Sequence, residues 1–332
     1  MIFMQETTYF DYEALAVKYR EKKALKRTAL AIGLSIVVFF ASSFIFGAFL
    51  SIIGEYLMTL AKTVEVRDVI YEAYIGLSYL LPMVLAFVPI IVLVRIPLKV
   101  ALPFKRTPIA VAAPSVFASL GCSTIGVFIA SVLLAFFQNS GFEYNVPQPE
   151  NPETVVGKLM YVFIIGVLPA IFEEFLFRGY MLQSLRRFGD VFAIIVSSLI
   201  FALFHGNFAQ LPNAFIMGIA FAFIAVRTGS LATGMVIHFI NNSVITLLDM
   251  FLFSNLDELT TGMATLVYLA VYFIFGVIGF IVLLTKFPKF FQIRKSNSPL
   301  TAGEKAKAFF LQPVSLIGIV IMFGFCFTYF LL

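Results

Sequence analysis

Long apolar runs broken by short polar clusters set the pattern of this chain. They recur at 28–53, 75–95, 109–137, 155–187, 191–204, 213–226, 231–253, 264–285 and 311–332. Within them Phe, Leu, Ile, Val and Ala do not alternate with polar residues, so the two-residue period of a transmembrane barrel is missing. About 20 apolar residues carry a helix across a bilayer core, and a helix satisfies its own backbone hydrogen bonds there. The pattern predicts an all-α, polytopic transmembrane helical bundle of about eight to nine spans.

The breaks between runs carry the rest of the organisation. Gly189-Asp190 predicts a tight turn between the fourth and fifth helices. His205-Gly206-Asn207-Phe208 and Pro212 interrupt the helices that follow. Four regions result: an amphipathic lead-in over 1–27, N-terminal helices over 28–155, a core over 156–255, and C-terminal helices over 256–332. The last region includes a basic loop at 286–307.

Composition agrees with a membrane protein: 61% of the 332 residues are hydrophobic and 12% are charged. A net charge of +5 raises the question of nucleic acid, but the basic residues sit beside apolar runs. They read as topology determinants, and no nucleic-acid partner is expected. Lys18, Arg20, Lys22, Lys23, Lys26 and Arg27 precede the first run, and Arg95, Lys99, Lys105 and Arg106 follow the second. The intervening loops, with Glu55, Glu65, Asp68 and Glu72, then Glu143, Glu150 and Glu153, are acidic. With the N-terminus in the cytosol, every basic loop falls inside and every acidic one outside. A bacterial-type plasma membrane is the expected location. The basic segment 286–307 reads first as one more topology signal, with anionic-lipid or partner binding as the second reading. Residues 1–27 lack a cleavable apolar core, and Cys122 and Cys326 read as packing residues inside spans.

Against this background the ionisable residues of Ile171-Phe-Glu-Glu-Phe-Leu-Phe-Arg178 stand out. Charge at membrane depth is costly, so such groups face inward and mark function. Glu174 and Arg178 are spaced i,i+4 with the acid first, the favourable order for an ion pair. Glu173 lies about 100° further round the helix and is left unpaired. The two histidines of the chain, His205 and His238, are its candidate partners. Glu173 lies 16 residues before Gly189 and His205 lies 16 after it, so both reach about the same depth. His238 falls in the cytosolic half of a later helix, and Asn242 shares its face at i+4.

Taken singly, each group has a structural explanation: an interhelical hydrogen bond, an ion pair, or, for Phe201, packing. Jointly they suit water activation. Desolvation strengthens a carboxylate as a base, the role assigned to Glu173. A water held by Glu173 and His205 would attack an amide carbonyl while His238 and Asn242 donate to the developing oxyanion. The alternative is a divalent metal such as zinc on Glu173, His205 and His238. There is no His-Glu-x-x-His helix, and Ser243 beside His238 does not make a nucleophile–base pair.

Glu173-Glu174-x-x-x-Arg178, Phe201-x-x-x-His205 and His238-x-x-x-Asn242, in that order, resemble the three motifs of the CAAX protease and bacteriocin-processing family. That family comprises intramembrane endopeptidases related to the type II CAAX prenyl endopeptidase. The resemblance implies water activation by Glu173 and His205, an oxyanion hole from His238 and Asn242, and supporting positions for Glu174 and Arg178. It covers about residues 156–255. A metal-independent glutamate mechanism is favoured over a metal-dependent one.

The expected function is therefore an intramembrane endopeptidase with a polar cavity in the cytosolic half of the membrane. Its substrate would be a membrane-associated or lipidated peptide. Two rivals stand beside it: a non-catalytic scaffold or bacteriocin-immunity-type protein retaining the fold, and a proton- or cation-coupled transporter. A transporter would carry an inverted repeat with paired broken helices, and only one broken region is found here.

Overall fold

The computed structural model describes residues 2–147 and 149–330, with side chains from Tyr12 onward except Glu258. Its regular elements are helices: α1 (Ile2–Leu60), α2 (Val64–Val94), the short α3 (Leu98–Ala101) and α4 (Ile109–Asn139). A long rod, α5 (Val155–Phe188), is followed by α6 (Asp190–Phe204), α7 (Leu211–Thr228), α8 (Ala232–Phe251) and α9 (Glu258–Lys286). The chain closes with α10 (Ala302–Phe310) and α11 (Pro313–Thr328). Among the described residues the only β pairing is an isolated bridge between Phe104 and Ser230.

Among the described residues seven helices are long and apolar enough to cross a membrane, or eight if α10 and α11, bent by 76°, make one broken span. The helical membrane class holds, and the upper count meets the lower end of the eight to nine expected. The fifth expected span is the one not counted: α6 has only 15 residues, or about 22 Å at the α-helical rise.

Other boundaries also move. The helix of the first span runs back through the lead-in, since nothing between residues 2 and 60 interrupts it and the first proline of the chain is Pro82. Side chains of residues 1–11 in that lead-in lie outside the described residues. The acidic stretch after it is mostly helical rather than a loop. Only 61–63 separate α1 from α2, where the Thr63 hydroxyl accepts the Val66 N–H at 3.3 Å. The basic segment 286–307 is likewise partly helical, since α10 begins within its end and packs on α1.

The turns gather at two ends. At one, the Lys105 N–H donates to the Gly229 carbonyl at 3.2 Å, Ser296 Oγ to the Phe188 carbonyl at 3.0 Å, and Arg227 Nη2 to the Lys289 carbonyl at 2.6 Å. At the other, Thr154 Oγ1 donates to Asp68 Oδ2 at 2.6 Å, the Asn145 N–H to the Tyr329 carbonyl at 3.2 Å, and the Phe208 N–H to the Tyr144 hydroxyl at 2.6 Å. The basic clusters of the sequence fall at the first end and the acidic ones at the second, as the alternation of loop charges requires.

The rod α5 is where the fold departs most from a regular pattern. It contains π-helical turns at Phe163–Val167 and Glu174–Met181. Such turns widen the helix by one residue and are frequent at functional sites. The first precedes Pro169, which has no N–H for the ladder. The second starts at the Glu-Glu pair and ends just past Arg178.

Candidate active site

Glu173 closes a short α-helical stretch of α5 and is buried, with α2 and α8 against it. Its Oε1 accepts a hydrogen bond from the Tyr79 hydroxyl of α2 at 3.1 Å. Its Oε2 is buried without a hydrogen bond and stands 3.7 Å from His238 Nε2.

Glu174, the next residue, faces elsewhere. Its Oε1 is 2.9 Å from Arg178 Nη1 and 3.2 Å from His238 Nδ1. The expected i,i+4 ion pair is present and fully buried. Its attraction is that of opposite charges rather than of a hydrogen bond, because Arg178 Nη1 and Nη2 have no aligned acceptor among the described residues. Two aromatic faces compensate: the guanidinium carbon lies 3.9 Å from the Phe201 ring centre and 4.9 Å from that of Phe221. Gly234 of α8 makes room for this carboxylate, since a Cβ there would stand 2.9 Å from Glu174 Oε2.

The two histidines are held differently. His205 sits just past the last residue of α6, with Nδ1 2.9 Å from the Phe201 carbonyl. A carbonyl only accepts, so Nδ1 carries the proton and Nε2 keeps its lone pair in the neutral ring. The backbone then leaves the helix through Gly206, whose φ of +63° is a left-handed value that suits glycine. Asn207 braces this break by donating to the His205 carbonyl at 2.9 Å and accepting the Gln210 N–H at 2.8 Å. His238 is stacked on Phe221 at 5.3 Å between ring centres, with an interplanar angle of 28°.

Asn242 Nδ2 donates to the Ile165 carbonyl at 3.1 Å. Pro169, four residues beyond Ile165, has no N–H to offer that carbonyl, so the amide supplies the missing donor. Asn241 Nδ2 in turn lies 3.4 Å from Asn242 Oδ1.

These groups converge on one cavity of about 390 Å³, whose polar lining includes Glu173, His205, His238 and Asn242. All four side chains singled out as catalytic from the sequence are therefore in its wall. Asn241 lines it as well as Asn242. Glu174 and Arg178 stand behind Glu173 and His238. Gln210 and Asn213, beside the break, complete the polar wall, with Pro169, Phe201 and Phe221 among the apolar residues.

The sequence reading left out Tyr79, Phe221 and Gly234, and gave Phe201 a packing role only. Phe201 packs, but it also faces Arg178 and lies edge-on to the His205 ring at 4.9 Å. Tyr79 is a tyrosine in an apolar run, and only its contact with Glu173 distinguishes it. As for a metal, among the described residues no three His, Cys, Asp or Glu side chains are grouped to hold an ion. His205 Nδ1 is committed to a backbone carbonyl and His238 Nδ1 to Glu174, so each ring has only Nε2 to offer.

Residues 155–244 match the family model described as Type II CAAX prenyl endopeptidase Rce1-like. The membrane-embedded CAAX protease MroQ of Staphylococcus aureus (strain USA300) is 28% identical over 142 residues, 40% of this chain and 58% of that protein. No solved structure matches the chain. The matched segment runs from the first turn of α5 past Asn242 and so contains all six site residues. The chain is thus an integral membrane protein whose three polar motifs lie inside a segment similar to CAAX-type membrane proteases.

Proposed function

We propose that the protein is an intramembrane endopeptidase that hydrolyses a peptide bond of a membrane-associated or lipidated peptide. The observation that carries this reading is the single cavity shared by Glu173, His205, His238 and Asn242. MroQ, to which the chain is similar, is named as a CAAX protease, in keeping with that class.

In this reading Glu173 is the base and His205 Nε2 is the second acceptor that orients the attacking water. Water adds to the carbonyl carbon as its proton passes to Glu173. The tetrahedral intermediate then collapses, the C–N bond breaks, and Glu173 returns the proton to the departing amine. Glu173 thus ends the cycle ionised. The oxyanion is held by His238 Nε2–H and by an amide of Asn242 or Asn241. With Nδ1 already donating to Glu174, His238 can donate from Nε2 only as the doubly protonated ring. Glu174 is thereby the counter-charge of two cations, Arg178 and a protonated His238.

No step in this scheme requires a metal. Within the cavity, Gln210 and Asn213 offer further polar groups to water. The N-terminus and the basic end of the bundle are assigned to the cytosol by the positive-inside rule, in a bacterial-type plasma membrane. Access from the cytosol is part of the proposal.

The test compares new peptide termini in host membranes carrying the wild type with those carrying Glu173→Gln at equal protein levels. Termini that vanish in the variant support hydrolysis and identify substrates. Matching termini with a phenotype retained in both would overturn it in favour of a scaffold.

A further inference from the structure

At the basic end of the bundle a second cavity, of about 550 Å³, lies between α1, the α2–α3 turn and the end of α5. Its character is unlike that of the active-site cavity. One wall carries Arg20, Lys23 and Arg27, which at i, i+3 and i+7 share one face of α1. The opposite wall is apolar, with Leu93, Val94 and Val100. Among the described residues none of the three cations has an ion-pair partner, although two basic residues nearby do: Lys18 pairs with Glu304 at 2.7 Å and Arg187 with Glu21 at 2.6 Å.

We infer that this cavity binds one anionic phospholipid, its phosphate among Arg20, Lys23 and Arg27 and an acyl chain against Leu93, Val94 and Val100. Topology alone requires positive charge but no walled cavity, and a free anion makes no use of an apolar wall. A phospholipid uses both, and the cavity opens where the charged end of the bundle meets the headgroup layer. The site also adjoins the catalytic rod. Gln183, which lines it, donates to the Arg178 carbonyl at 3.1 Å, within the π-helical stretch that bears Glu174. The inference does not depend on the proposed protease activity.

Native mass spectrometry of the full chain in detergent tests it, with phosphatidylglycerol, phosphatidylcholine of the same acyl chains, and inorganic phosphate as separate probes. Wild type is expected to retain one phosphatidylglycerol in preference to phosphatidylcholine, and inorganic phosphate is not expected to displace it. Affinity should fall about fivefold per cation removed, and roughly a hundredfold in Arg20→Gln/Lys23→Gln/Arg27→Gln. Ala24→Phe, which keeps every charge and fills the cavity, should weaken binding too. Circular dichroism on both variants establishes that the helices persist. Equal binding of the two lipids, full displacement by phosphate, or unchanged binding in either variant would overturn the inference.

Discussion

His238 places Nδ1 3.2 Å from Glu174 Oε1, while its Nε2 stands 3.7 Å from Glu173 Oε2. One imidazole therefore spans two consecutive carboxylates, and their roles divide at that ring. Glu174 also neutralises the buried Arg178, so it holds the constellation together. Glu173 keeps one buried oxygen without a hydrogen bond. Glu174→Gln should accordingly damage folding and activity together, because removing one partner of a buried ion pair costs on the order of 3 kcal/mol or more. Chemical denaturation in micelles would show the loss; an unchanged midpoint would refute this assignment.

Glu173→Gln should separate the two properties. The amide retains the size of the carboxyl and can still accept from Tyr79. Stability should change little, whereas hydrolysis should fall by about a hundredfold or more, the range expected for loss of a general base. The paired readout is a cleavage rate and a melting temperature on the same preparation.

Tyr79 tests whether the site depends on a helix outside the matched segment. Its hydroxyl is the one hydrogen-bond donor to Glu173 Oε1 among the described residues. Tyr79→Phe removes that donor and leaves the ring. The turnover rate should drop roughly tenfold, in line with a hydrogen bond to a charged group, with KM nearly unchanged. A change confined to KM would instead place Tyr79 in substrate binding.

Gly234 offers a steric prediction. A methyl group there meets Glu174 Oε2 at 2.9 Å, and the carboxylate is pinned between Arg178 and His238. Gly234→Ala should destabilise by about 1–3 kcal/mol, the usual range for overpacking, and lower activity. Gly262 of α9 is the control, because a Cβ there meets nothing within 4 Å. Gly262→Ala should be neutral or slightly stabilising. Equal effects at the two positions would contradict the close fit at Glu174.

Chelation decides the metal question directly. On the proposed scheme, prolonged dialysis against a strong chelator leaves the cleavage rate unchanged, and added zinc does not raise it. A rate that falls on dialysis and returns with zinc would replace the scheme with a metal-assisted one on Glu173 and the two histidine Nε2 atoms.

Much of this was legible in the chain because the bilayer reduces the ambiguity of sequence. Apolar runs longer than about 20 residues have one helical solution in hydrocarbon, and polar groups inside them are few enough to be matched by depth. Counting from Gly189 was enough to bring Glu173 and His205 to one level, and i,i+4 spacing was enough to pair Glu174 with Arg178. Tertiary structure alone decided the rest. The π-turns of α5 follow from packing and from Pro169, so their extra residues could not be counted beforehand. The hydrogen bond of Tyr79 joins residues 94 apart in sequence, and that of Asn242 to Ile165 joins residues 77 apart. Such contacts depend on the rotation and register of neighbouring helices, which hydropathy leaves free. That His238 would lie between both carboxylates was decided by those same rotations.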